Sequence, residues 1–255
     1  MNPSPLDALR EPRLHLGTWL SLGAPVIAEL AAECGFHWLL IDLEHGCTTD
    51  ATVLPQLQAV RGTGTAVIVR VGAPHPDLIA RVLDWGAHGL MVPHISSPEE
   101  AEACVQAMHY PPRGRRGVAR TTRAGGYGLR PPGPPGSNPV PLLMAQIENI
   151  EGVARAAAIA AVDGVDTLFV GPADLQFDLQ ARPALARYTY QECVQAVAAA
   201  ASAAGKASGI LLREPAAIAT HHALGFTHIA IDSDLGLLRA GYQRLVAAGD
   251  QSSNQ

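Results

Sequence analysis

Short apolar runs rich in β-branched residues alternate along the chain with longer stretches in which Ala and Leu return at helical spacing. That is the pattern of repeated βα units. Eight runs read as strands, at 14–19, 37–43, 65–71, 89–92, 141–147, 167–170, 207–211 and 227–231. Helices are predicted near 25–34, 50–60, 76–85, 97–108, 150–161, 190–204, 214–224 and 235–248. Ser97-Pro98-Glu99-Glu100 is a helix start, with a capping hydroxyl and a proline in the first turn. Gly35, Gly86, Gly205 and Gly225 each stand between a helix and a strand, where a left-handed cap belongs.

Eight units in 255 residues predict one α/β domain over 1–255, a (β/α)8 TIM barrel with loose ends at 1–12 and 249–255. A doubly wound open sheet uses the same units. No GxGxxG follows an early strand, so a dinucleotide site of the usual kind is not expected. One segment breaks the rhythm: residues 111–139 hold seven Pro, seven Gly and six Arg. It is a long loop. Alternation puts it on the face opposite an active site, but its reach of roughly 100 Å when extended also allows the other rim or a neighbouring subunit.

Composition narrows the function classes. The chain is 48% apolar with a net charge of −5, long enough to bury about three quarters of its unfolded surface. An acidic balance offers no basic face for nucleic acid. No apolar stretch reaches the length of a membrane span. The first residues lack a cationic segment followed by an apolar one, so no secretory signal is expected and the cytoplasm is the expected compartment. Cys34, Cys47, Cys104 and Cys193 show no CxxC spacing and read as reduced thiols packed as small hydrophobes.

Ionisable groups cluster where strands end. The second strand finishes in Asp42-Leu43-Glu44-His45-Gly46, the third in Arg70, the fifth in Gln146-Ile147-Glu148 and the sixth in Gly171-Pro172-Ala173-Asp174. In a barrel these converge on one bowl. Glu148 and Asp174 are hard oxygen donors suited to octahedral Mg²⁺ or Mn²⁺, and either carboxylate alone also suits a helix cap. Arg70 closes an apolar strand and needs an anion, which is either a structural partner such as Asp42 or Glu44 or a substrate oxyanion. His45 is a candidate general base, or an ordinary hydrogen-bonded histidine. The Gly171–Asp174 turn enters a helix and offers backbone N–H groups to a carboxylate. The sequence contains one lysine, Lys206, at the start of the seventh strand. Schiff-base chemistry, which needs a lysine at the reacting carbonyl, is therefore not expected, and enolate charge would fall to a metal.

Taken together these residues resemble the HpcH/HpaI aldolases, metal-dependent class II pyruvate aldolases. The resemblance runs from Gly17-Thr18-Trp19 to about residue 235. It rests on Gly35-Phe36 before Ile41-Asp42-Leu43-Glu44-His45-Gly46, then Val69-Arg70, Leu83-Asp84-Trp85-Gly86-Ala87 and Met91-Val92-Pro93. It continues through Tyr110-Pro111-Pro112-Arg113-Gly114-Arg115-Arg116-Gly117, Gln146-Ile147-Glu148, Gly164-Val165-Asp166 and Gly171-Pro172-Ala173-Asp174-Leu175.

The resemblance implies a divalent ion, Mg²⁺ or Mn²⁺ with Co²⁺ as a further candidate, held by Glu148 and Asp174 and chelated by pyruvate or another 2-oxo acid. It implies Arg70 at the enolate oxygen, Gln146 with the Gly171-Pro172-Ala173 backbone at the substrate, and His45 as base. It also implies that Asp84 raises the basicity of that histidine across a subunit contact, in a homohexamer with exchanged C-terminal helices. Val118 and Leu211 would wall the aldehyde. The expected reaction is reversible cleavage of a 4-hydroxy-2-oxo acid into a 2-oxo acid and an aldehyde. Oxaloacetate decarboxylation, citrate-lyase-β-like cleavage of an acyl-CoA, and a non-catalytic 2-oxo-acid-binding barrel are the alternatives. Where the family has Ser and a small, Gly-containing stretch after Asp174-Leu175, this chain has Gln176 to Arg182, which leaves the aldehyde least transferable.

Overall fold

Each apolar run becomes a strand because its alternate residues face two different cores, one inside the barrel and one under the helices. The computed structural model describes residues 4–134 and 136–253. In chain order the strands are β1 (His15–Leu20), β2 (Trp38–Asp42), β3 (Ala66–Arg70), β4 (Gly89–Val92), β5 (Leu142–Ile147), β6 (Thr167–Val170), β7 (Ala207–Leu212) and β8 (His228–Ser233). All neighbours pair in parallel and β8 closes on β1, giving one barrel. The helices are α1 (Pro5–Leu9), α2 (Pro25–Glu33), α3 (Asp50–Ala59), α4 (Pro76–Asp84), α5 (Pro98–Met108), α6 (Ile150–Ala154), α7 (Ala156–Ala160), α8 (Pro172–Ala181), α9 (Tyr190–Ala203), α10 (Ile218–Ala223) and α11 (Asp234–Ser253). The predicted (β/α)8 barrel is thus the observed fold, and the open-sheet alternative falls with its closure.

The barrel interior is filled by Trp19, Trp38, Leu40, Ile68, Met91, Met144 and Phe169, all buried. Trp19, Trp38 and Phe169 meet with ring centroids 5.5–6.2 Å apart. Rings of that size need gaps on neighbouring strands. Gly17 supplies one: a Cβ there would fall inside the Trp38 indole, and one on Gly209 inside the Phe169 ring. The second core, between sheet and helices, is aliphatic and runs from Leu20 to Ile229.

The amino-terminal end is tied strand to strand by the residues that precede even strands. His37 Nδ1 accepts from the backbone N–H of Leu16, His88 Nδ1 from Val67 and Asp166 Oδ2 from Leu143, at 2.9–3.0 Å. Each group satisfies a buried edge donor that would otherwise be costly. Below them lies α1, where a loose end was expected. Leu6 and Leu9 are buried against the barrel interior, and the Leu9 carbonyl accepts from His228 Nε2 at 3.0 Å. Two leucines are too short a signal for periodicity to reveal. At the other end, 249–253 continue α11, and of the expected loose ends 1–3 and 254–255 lie outside the described residues.

Other differences are local. The helix predicted over 150–161 breaks at Arg155 into α6 and α7, and 214–224 is a 3₁₀ turn followed by α10. Helix α8 buries only Leu175, so no apolar stripe betrays it. Of the four cysteines only Cys104 and Cys193 are packed inside, while Cys34 and Cys47 are exposed. The 113–124 part of the predicted loop lies on the amino-terminal face. Arg123 donates to the carbonyls of Trp85 and Leu57, capping α4 and α3 together, and Arg116 donates to Asp84. Helix α11 leaves the barrel after its first turn, and from Leu237 to Val246 every residue except Gly241 is exposed.

His228 gives a pH test of the floor. A carbonyl only accepts, so Nε2 carries the proton, while the Thr227 hydroxyl reaches Nδ1 at 3.1 Å. Burial, with the neighbouring His15, holds the imidazole neutral and lowers its pKa from 6.5 to about 3. The unfolded chain binds this proton first, so the stabilisation is complete above pH 6.5 and is lost as pH falls towards 3. Between pH 6.5 and about 4.5 the loss is about 2 kcal/mol. Urea unfolding of His228→Gln should show a shallower pH slope over that interval by this amount; an unchanged slope would contradict the assignment.

Candidate active site

The bowl at the carboxyl ends of the strands is built on one registered pair. Asp42 on β2 and Arg70 on β3 are Cα partners in the parallel ladder, and both continue the inward row of Trp38, Leu40 and Ile68. Period two therefore delivers them side by side above the aromatic plug. Arg70 Nε donates to Asp42 Oδ1 at 2.9 Å and Nη2 to Oδ2 at 2.7 Å, a buried bidentate pair. Nη1 stands 3.0 Å from Glu44 Oε2, and the guanidinium lies 5.6 Å over the Trp19 ring. Burial opposes the charge, but the Asp42 bond and the charges of Asp42, Glu44 and Glu148 outweigh it and raise the Arg70 pKa. Asp42 Oδ1 also accepts from the backbone N–H groups of Glu44 and His45, at 3.0 and 3.3 Å. The turn that carries the imidazole thus hangs on the same carboxylate.

Across the bowl, Glu148 follows β5 and is 2% exposed. Its Oε1 accepts from the His94 backbone at 2.7 Å, with the His94 Nδ1 2.9 Å away, and its Oε2 accepts from Gln146 Nε2 at 2.5 Å. Burial lifts its pKa well above the usual carboxylate range; the His94 bond works against this, while the charges of Asp174 and Glu44 add to it. Gly171 caps α8 directly beside it, where a Cβ would collide with the Glu148 carboxylate and crowd the Gln146 amide. Asp174 lies in the first turn of α8. His94 itself holds a positive φ of 57° and, like His45, is largely exposed at the rim.

The HpcH/HpaI aldolase/citrate lyase family model matches residues 15–240. The chain belongs to this family. It is 38% identical over 238 residues to a 5-keto-4-deoxy-D-glucarate aldolase of Shigella dysenteriae, covering 93% of each. An HpcH/HpaI aldolase/citrate lyase family protein from Burkholderia cenocepacia superposes with a TM-score of 0.88 at 36% identity, over 97% of this chain and 99% of the other. A citrate synthase superposes with a TM-score of 0.83 at 28% identity, over 99% of both chains. The protein is an enzyme of the aldolase type, a carbon–carbon lyase.

Within this HpcH/HpaI barrel, His45, Arg70, Gln146, Glu148, Gly171 and Asp174 share the carboxyl-terminal bowl, with Pro172 and Ala173 opening α8 and Leu211 near the upper end of β7. Asp84 and Val118 are not brought there. Asp84 ends α4 on the opposite face, where it accepts from Arg116 Nη2 at 2.5 Å, and Val118 is exposed in the 111–139 loop. Lys206 also lies on that opposite face, beside Arg10 and His228 around a cavity of about 760 Å³. The salt-bridge reading of Arg70 is realised through both Asp42 and Glu44. Sequence reasoning missed His94, because the strand it follows ends in Val92-Pro93 with no polar run to draw attention.

Asp42→Asn removes the charge that anchors Arg70 while leaving that cation buried beside Glu44. The loss should be about 3 kcal/mol, at the lower end for a broken buried pair, read as a lower urea midpoint. An unchanged midpoint would show that the pair holds nothing.

Proposed function

We propose that this lyase reversibly cleaves a 4-hydroxy-2-oxo acid into pyruvate or a related 2-oxo acid and an aldehyde, using a divalent cation held by Glu148 and Asp174. One observation carries the reading: Glu148 is a buried carboxylate crowded by Asp174 and Glu44, while Arg70 is already engaged by Asp42 and Glu44. Acidic charge in excess at the floor of a bowl fits a bound cation.

The donor set agrees. Gln146 Oε1 is buried without a hydrogen-bond partner in the structure, and the missing Cβ at Gly171 leaves space against both side chains. Among the described residues no three His, Cys, Asp or Glu side chains are gathered so as to hold a metal ion, so the two carboxylates would be its side-chain ligands, with substrate and water in the remaining positions. Mg²⁺ and Mn²⁺ match two carboxylates, and Co²⁺ is a further candidate.

When bound, the cation supplies Lewis acidity to the ketone of the 2-oxo acid. The chain's own residues do the rest. Arg70, oriented by Asp42, stabilises negative charge that develops on the C2 oxygen during cleavage. Backbone N–H groups at Ala173 and the start of α8 receive the substrate carboxylate, and Gln146 positions the ketone. His45 accepts the C4 hydroxyl proton as the C3–C4 bond breaks, a proton is then delivered to C3 of the enolate to give the 2-oxo acid, and in the reverse direction C3 gives up a proton and the new C4 oxygen receives one. Oxaloacetate decarboxylation passes through the same charge on C2, and citrate-lyase-like cleavage through the corresponding enolate charge on a thioester carbonyl oxygen. The similarity to a citrate synthase keeps them as the second reading.

Asp84 and Val118 enter this chemistry only from a second copy, because in one chain they lie on the face opposite His45. We take the enzyme as a homo-oligomer, of hexameric type with exchanged C-terminal helices. What supports this is α11, which carries exposed Leu235, Leu238, Tyr242 and Leu245 on a helix that projects from its own barrel. A cytoplasmic setting belongs to the same reading. No helix among the described residues is long and apolar enough to cross a membrane.

Glu148→Gln and chelator should each reduce retro-aldol turnover by on the order of 10²–10³-fold, and should abolish hydrogen–deuterium exchange at the methyl group of pyruvate followed by NMR. Exchange that continues in both would sink the metal reading. The subunit reading has its own test. Asp84→Asn and His45→Asn, each feeble alone, should regain part of their turnover after mixing and reassembly, because a hybrid contact joins an intact aspartate to an intact histidine. No recovery would place Asp84 outside the reaction.

A further inference from the structure

Helix α8 carries Asp174 but has little packing of its own. Leu175 is its one buried residue, so apolar contact alone does not fix where the helix lies. A polar clamp does. Asp174 and Asp178 are four residues apart, which stacks them on one side of the helix. Asp178 Oδ2 accepts from the backbone N–H of Ile150 at 2.8 Å. That donor opens α6, two residues after Glu148, and is one of those that a helix start leaves without an intrahelical partner. Arg182 caps α8 and holds Asp178 at both oxygens, Nε to Oδ1 at 2.7 Å and Nη2 to Oδ2 at 2.6 Å. The same guanidinium grips Glu151 of α6 at 2.6 and 2.7 Å.

Resting on the reading of Glu148 and Asp174 as cation ligands, we propose that Asp178 and Arg182 are positioning residues for that pair. They act through other groups, by setting how far Asp174 stands from Glu148. The route is short. Asp178 is one turn from Asp174 on one element, and its partner Ile150 is two residues from Glu148 on the other. Mg²⁺ demands octahedral donors at about 2.0–2.1 Å, so carboxylates on separate elements bind it together only when both elements are held to a fraction of an ångström. The side chains of the clamp are 35% exposed at Arg182, 44% at Glu151 and 19% at Asp178. Ion pairs that open to solvent add little stability. What this one supplies is alignment.

The test is Mn²⁺ binding to the full-length protein without substrate, read from the EPR signal of the free ion. Asp178→Ala should weaken binding by on the order of 10-fold, the lower end for groups that hold metal ligands in place. Asp178→Asn, whose amide oxygen still accepts from Ile150, should stay within about 3-fold of wild type. Arg182→Gln keeps the Ile150 bond but frees the Asp178 side chain, and should weaken binding about 3-fold. Arg113→Gln removes another solvent-open pair, with Asp163 on the amino-terminal face, and should bind as wild type. Wild-type affinity in Asp178→Ala, or an equal loss in Asp178→Asn, overturns the clamp while leaving the cation site intact, provided that Glu148→Gln abolishes binding. If circular dichroism shows Asp178→Ala unfolded, Arg182→Gln decides, and unchanged affinity there overturns the proposal. Mn²⁺ that binds Glu148→Gln as well as wild type overturns the cation site and this proposal together.

Discussion

A guanidinium and a carboxylate, placed on adjacent parallel strands at the same height, hold the working end of this barrel in shape. Asp42 and Arg70 satisfy one another in two parallel hydrogen bonds, and nearly everything polar around them is referred to that pair. The Glu44–His45 turn hangs from Asp42 through two backbone N–H groups. Glu44 reaches the remaining edge of Arg70, and its oxygens extend the network towards His94 and from there to Glu148. A buried ion pair adds little net stability over a well-packed apolar one. Its value here is positional, because the Trp19 ring on one side and the Asp42 and Glu44 carboxylates on the other fix where the buried guanidinium lies.

The same physics explains what could be read from the chain and what could not. Strands were legible because each carries two apolar faces, and their observed limits fall within two residues of the predicted ones. The bowl was legible through Asp42, Arg70, Gln146 and Glu148, since a strand that changes from apolar to ionisable at its last step marks the carboxyl-terminal end of a parallel sheet. Glycines at helix ends were equally plain, and Gly35, Gly86, Gly205 and Gly225 all take positive φ.

Illegible features were those whose signal is not periodic. α1 and α8 bury too few side chains to leave a stripe. His94 depends on a backbone angle that no neighbouring residue announces. The placement of the Gly/Pro/Arg loop depends on which carbonyls its arginines find, and Arg123 finds those at the ends of α3 and α4. Asp84 and Val118 came from family resemblance alone, and a single chain cannot bring them to the bowl.

The α1 cork has an implication for how this chain tolerates cutting and fusion. Its two leucines cover the lower end of a shaft lined by Trp38 and Phe169, and its last carbonyl is latched to an imidazole on the final strand to be synthesised. The segment before the first strand and the last strand are thus clasped within one chain. A shortened variant beginning after Pro12 would admit water under the aromatic stack, while an extension added ahead of Pro5 leaves the latch untouched.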